Sequence, residues 1–211
     1  GSTGYELWAH ETTNDSTWQV ADINSGSGHG YPNEFTVMGT RLYFEANDGS
    51  TGQELWAHET TNDSTWQVAD IQNGAPSGLA QYLAVIDTRL YFRANDGSTG
   101  YELWVHETTN DSTWQVADIN SGSNPAYAND ITVMGTRLYF EARAPNVGYE
   151  LWAHETTNDS TWQVADIYSG GASSYVYDIT VMGTKLFFSA SDFDNDYELW
   201  MMEIEHTITY T

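Results

Sequence analysis

The 211-residue chain has no cysteine and only six lysines and arginines. The first absence excludes disulfides, thiolate catalysis and zinc held through sulfur. The second leaves thirty acidic residues almost unopposed, at a formal net charge of −24. Such a surface repels phosphate backbones and anionic membranes, so neither nucleic acid nor a membrane is an expected partner. It suits solubility, high salt, divalent cations or a cationic partner. Prolines number four. No apolar run approaches the roughly 18 residues of a membrane span. No basic stretch followed by an apolar one opens the chain, so no secretory leader is expected within it.

What is present is repetition. ELWAHETTNDSTWQVADI runs from Glu6 to Ile23 and returns unchanged at Glu54–Ile71 and Glu150–Ile167. The copy at Glu102–Ile119 differs only at Val105. The spacing is 48 residues each time, with a shorter echo at Glu198-Leu199-Trp200. A second block, TVMGTRLYFEA at Thr36–Ala46, returns at Thr132–Ala142, as TVMGTKLFFSA at Thr180–Ala190, and in diverged form at Leu83–Ala94. A period of this length signals a solenoid, a propeller or an array.

Each unit contains four short segments rich in β-branched and aromatic residues: FTVM, RLYFEA, YELWAHE and TWQVADI. Turn chemistry separates them, at Met38–Thr40, Asn47–Ser50 and Thr12–Ser16, and none has a helical period. Four strands per unit of this length is β-propeller arithmetic. The expected fold is therefore an all-β propeller of four-stranded antiparallel blades, with FTVM innermost and TWQVADI outermost. It forms one domain over residues 1–211, with a half-blade at 1–23 and an incomplete final unit at 179–211. Four blades are expected, closed by the N-terminal half-blade completing the last one. The alternative is five positions, one partial or shared between chains, with self-association through half-blade exchange. The tryptophans are expected between blades.

The run from Ala46 to Trp56, ANDGSTGQELW, resembles the ELW-type repeats of bacterial secreted and surface proteins, whose unit reads SANDGTxGxELWxSDGTxxGTxxVKDI. The resemblance covers nearly the whole chain and departs from the pattern at Thr-Thr-Asn-Asp-Ser, where the family has a second DGT turn. It implies a propeller-like domain outside the cell or at its surface, and does not imply an enzyme. Leu42-Tyr43-Phe44 preceding Glu54-Leu55-Trp56 is also similar, more loosely, to four-bladed hemopexin-type propellers. The near-identity of the copies points either to recent duplication or to an engineered or reconstructed array.

Candidate ligand-binding residues, for glycans above all, are the polar turn and its aromatic neighbour in each unit: Asn14, Asp15 and Trp18; Asn62, Asp63 and Trp66; Asn110, Asp111 and Trp114; Asn158, Asp159 and Trp162. Aromatic faces stack on sugar rings, and repeated weak sites gain avidity. His10, Asp15 and Ser16 are the residue types of a catalytic triad, but no nucleophile elbow or oxyanion motif accompanies them, so no enzyme is expected. Asp192, Asp194, Asp196 and Glu198 place oxygens at every second residue, the spacing of a calcium loop, although the glycine and twelfth-position glutamate of an EF-hand are missing. Calcium here stands against a solvated acidic turn. The hub of the propeller is a further position for a cation.

Overall fold

A computed structural model describes residues 4–193 and 196–203. The described residues are strands and turns, without a helix. β1 (Leu7–Glu11) and β2 (Ser16–Ala21) form a two-stranded half-blade. Blade 1 is β3 (Asn33–Met38), β4 (Arg41–Asn47), β5 (Gln53–Glu59) and β6 (Ser64–Ala69). Blade 2 is β7 (Gln81–Ile86), β8 (Arg89–Asn95), β9 (Tyr101–Glu107) and β10 (Ser112–Ala117). Blade 3 is β11 (Asn129–Met134), β12 (Arg137–Arg143), β13 (Tyr149–Glu155) and β14 (Ser160–Ala165). The terminal blade has β15 (Tyr177–Met182), β16 (Lys185–Ser191) and β17 (Tyr197–Glu203).

Strands within each blade pair antiparallel in chain order, in the inner-to-outer sequence expected from the repeat. Each innermost strand packs on the next: β3 on β7, β7 on β11, β11 on β15. The expected clasp is not formed. The edge of β16 that the N-terminal pair was to complete is occupied by β17, paired from Lys185↔Glu203 to Ser191↔Tyr197. The half-blade instead stands as a fifth, separate sheet. The reason is local: Tyr197-Glu198-Leu199-Trp200 repeats the opening words of β9 and β13 and follows β16 after the same short interval of sequence that separates β8 from β9, so only a short loop has to close.

The core lies between blades. Tyr43, Leu55 and Ala57 of blade 1 meet Leu90, Phe92 and Ala94 of blade 2. Tyr91, Leu103 and Val105 meet Leu138, Phe140 and Ala142. Tyr139, Leu151 and Ala153 meet Leu186, Phe188 and Ala190. Leu7 of the half-blade rests on Phe44, Ala46 and Trp56. Alternating residues of one strand thus face two different neighbours, which explains why β5 is buried along nearly its whole length. The tryptophans divide: Trp56 is buried between blades, whereas Trp8, Trp18 and Trp114 are exposed.

A carboxylate ties each blade to the next crossover. Glu54 accepts the amides of Ile71 (2.8 Å) and Gly78 (2.6 Å). Glu6, Glu102 and Glu150 repeat this with Ile23 and Gly30, Ile119 and Ala126, and Ile167 and Ser174. The Gly30, Ala126 and Ser174 amides are shared with the carbonyls of Tyr5, Tyr101 and Tyr149, so carboxylate and backbone together satisfy the crossover.

Candidate functional site

The innermost strands begin irregularly. Asn33 pairs with Glu45, but the next pair is Thr36 with Tyr43, and the same slip recurs in the other three. The residue in the slip is left-handed every time: Glu34 (φ 58°), Tyr82 (57°), Asp130 (53°) and Asp178 (56°). For a residue other than glycine this costs about 1–2 kcal/mol. A bulge of this kind re-aims a side chain out of the ladder.

Here the four side chains are brought to the hub, where they line a cleft of about 550 Å³ together with Thr36 and Thr132. They also stitch neighbouring strands. Glu34 accepts the Tyr82 amide at 2.9 Å, and Asp130 accepts the Asp178 amide at 3.2 Å. The Thr36 and Thr132 hydroxyls donate to the carbonyls of Leu83 (3.3 Å) and Ile179 (2.9 Å). Burial pushes the Asp130 carboxyl upward.

One layer out, Glu45, Arg93, Glu141 and Ser189 hold the same repeat position. Glu45 and Glu141 are 1% and 2% exposed, and burial pushes both carboxyls up to about 7. Each accepts one bond, from Asn33 (3.4 Å) and Asn129 (2.9 Å), leaving one buried oxygen without a partner among the described residues. Arg93 donates to Gln81 and Asn129 and lies over the rings of Tyr82 (4.9 Å), Tyr101 (5.1 Å) and Tyr127 (6.0 Å).

Tyrosines rim the same end of the blades, because they open the third strands and precede or open the innermost ones. Tyr101 stacks on Tyr127 at 5.3 Å, and the series continues through Tyr149 (6.2 Å), Tyr175 (5.6 Å), Tyr177 (6.4 Å) and Tyr197 (5.8 Å). Tyr5, His29 and Tyr31 form a separate cluster at the half-blade.

The turn residues singled out in the sequence lie at the opposite end, in the hairpins that close the third strands. Asn14, Asn62 and Asn158 each accept the amide of the serine two residues on, at 3.1 Å. Asp15, Asp63, Asp111 and Asp159 supply the left-handed residue of the turn, at φ 57°, 58°, 55° and 53°. Their carboxylates approach the histidines His10, His58, His106 and His154 at 3.6–3.8 Å. The serine hydroxyls of Ser16, Ser64 and Ser160 bond the turn asparagine rather than histidine. Trp66, Trp114 and Trp162 lie beneath the guanidinium groups of Arg41, Arg89 and Arg137 at 5.5–5.9 Å.

Of the acidic loop, Asp192, Asp196 and Glu198 are exposed, and Asp194 lies outside the described residues. Among the described residues no three or more acidic or histidine side chains converge as for a metal ion. The hub acids were not singled out from the sequence. The available signal was the series Glu34, Tyr82, Asp130, Asp178 at one repeat position, hidden because only the bulge turns it inward.

No family model matches the chain, and no curated protein matches it. Solved structures do. TolB from Acinetobacter baumannii aligns at a TM-score of 0.53 and 13% identity, over 91% of this chain and 47% of TolB. A puromycin hydrolase aligns at 0.61 and 12%, over 91% of this chain and 29% of its own. A puromycin-hydrolysing peptidase from Mycobacterium tuberculosis aligns at 0.61 and 9%, over 92% and 29%. The chain spans less than half the length of each. At such identities the likeness is one of fold, and it defines the class: an all-β, propeller-type array of antiparallel blades. The ELW-type and hemopexin-type resemblances gain no support from a family model.

Proposed function

We propose that the chain is a non-enzymatic recognition propeller whose ligand enters the hub cleft from the tyrosine-rimmed end. One observation carries this reading: Glu34, Asp130 and Asp178 share a 550 Å³ cleft with Tyr82 and threonine hydroxyls. Three carboxylates in a chain of net charge −24 favour a cation. Hydroxyls and an aromatic ring favour a polyhydroxylated ligand. An amino sugar has both properties, and this narrows the wider glycan reading. The extracellular setting implied by the ELW-type resemblance accords with such a ligand. The histidine, aspartate and serine of each turn do not form a relay, which supports a binding role over catalysis.

Calorimetric titration with chitosan oligomers, beside their N-acetylated forms, tests the proposal. Saturable heat from the amine forms, weakened about tenfold or more in the Asp130→Asn, Asp178→Asn variant, is expected. No heat at millimolar oligomer would sink it.

A scaffold role without a small ligand, natural or engineered, is the second reading. It is favoured by the turn residues, whose polar groups are used by their own hairpins. A calcium-dependent spacer rests on the net charge of −24 and the acidic loop from Asp192 to Glu198. A melting temperature that rises in calcium over chelator would support it.

A further inference from the structure

The junctions between blades hold tyrosines in pairs. One member precedes β1 or opens β9 or β13, and the other lies where the crossover enters the next innermost strand. Tyr5 stacks on Tyr31, Tyr101 on Tyr127 and Tyr149 on Tyr175, always at the same two repeat positions. The ring centroids stand 5.8, 5.3 and 5.6 Å apart, with planes inclined by 23°, 17° and 23°. At the junction of blades 1 and 2 both positions differ together, as Gln53 and Leu79.

The backbone presents the rings to one another. Tyr31, Leu79, Tyr127 and Tyr175 are all left-handed, at φ 46°, 53°, 55° and 49°. A residue with a Cβ keeps that conformation only where its surroundings impose it. Here the Tyr31 and Tyr127 amides donate to the carbonyls of Tyr5 (3.1 Å) and Tyr101 (2.9 Å), and the Ser174 amide donates to the Tyr149 carbonyl (2.8 Å). The pairs also communicate. Tyr127 lies 6.2 Å from Tyr149, and Tyr175 lies 6.4 Å from Tyr177. Tyr175 and Tyr177 are 41% and 40% exposed, so an oxidant in solution reaches the series there.

We infer that these pairs are sites of oxidative cross-linking, at which a haem peroxidase with hydrogen peroxide joins the two tyrosines of a junction as dityrosine within one chain. Each phenol gives up one electron and its hydroxyl proton and becomes a phenoxyl radical. The two radicals form a carbon–carbon bond between ring positions ortho to the oxygens. Each ring then returns its ortho hydrogen to oxygen, which restores both phenols. Hydrogen peroxide takes the two electrons and two protons and leaves as two waters. A ring oxidised at the surface draws an electron from its neighbour, so the less exposed Tyr101, Tyr127 and Tyr149 are oxidised through the series. The chain has no cysteine and so no disulfide to staple its blades. This bond ties the third strand of one blade to the crossover into the next, closing a loop that is open in the unfolded chain. It does not depend on a ligand at the hub.

Treating the dilute 211-residue chain with a haem peroxidase and hydrogen peroxide, then mapping peptides by mass spectrometry, tests the inference. In material of single-chain mass, the peptide of Tyr101 is expected to be joined to that of Tyr127, and the peptide of Tyr149 to that of Tyr175, each with loss of two hydrogens. The oxidised chain should melt above the untreated one. Tyr127→Phe and Tyr175→Phe retain the stacked rings but remove the hydroxyls. The double variant is expected to melt like the parent before oxidation and to lose both joined peptides. Dityrosine that forms only between chains, that joins tyrosines outside these pairs, or that does not form at all overturns the inference.

Discussion

Glu54 and Gly78, 24 residues apart, are joined by a 2.6 Å hydrogen bond from the Gly78 amide to the Glu54 carboxylate. The same carboxylate takes the Ile71 amide, so one side chain holds both ends of the crossover between blades. Replacing an acceptor of two shielded amides leaves them unpaired at about 1–3 kcal/mol each. Glu54→Ala is therefore expected to lower unfolding free energy by roughly 2–6 kcal/mol. Urea denaturation measures it, and a loss under about 1 kcal/mol would show that water replaces the clasp.

The buried carboxyls give stability a definite pH dependence. Burial raises Glu45, Glu54, Glu102 and Glu141 to about 7. A group raised on folding contributes fully below its unfolded value and loses that contribution as pH climbs through the folded one. Asp48 and Asp96 run the other way: despite burial, bonds from the following serine and threonine hold them at about 2, so their contribution is lost only in strong acid. Burial also lowers His106 and His154, which opposes the four glutamates as pH falls below the usual histidine range. The glutamates outnumber them, so the melting temperature is expected to be higher at pH 5 than at pH 8. A scan showing the reverse would mean that these carboxyls are solvated.

Identical leucines should differ sharply in importance. Leu151 is fully buried, and Leu151→Ala is expected to cost about 2–5 kcal/mol. Leu199, 78% exposed, should tolerate the same change within about 0.5 kcal/mol. Equal losses in denaturant melts would show that Leu199 is covered.

The turn aspartates separate structure from recognition. Asp63 is left-handed, so Asp63→Val is expected to cost about 1–2 kcal/mol while Asp63→Gly stays near neutral. Neither should alter ligand titrations at the hub. A ligand lost with Asp63→Gly at unchanged stability would return the binding site to the turns.

Much of this was legible beforehand because the repeat writes its local code plainly. Alternation in Tyr-Glu-Leu-Trp-Ala-His-Glu, glycine at Gly39 and Asp-Gly at Asp48-Gly49 specify strands and turns within one unit, so strand order followed from the sequence. Leu55 is buried by Leu90 of the next blade, whereas Leu199 stays exposed among the described residues, and no short window of sequence contains that difference. The hub site is the same case. Glu34, Asp130 and Asp178 read as ordinary acids at strand entrances until a bulge in each innermost strand turns them toward one cleft. Sequence alone determined the unit, its four strands and its acidity, since each rests on short-range stereochemistry and composition. The tertiary structure decided where the array opens and which side chains meet at the axis, because both depend on packing between units that the chain spells identically.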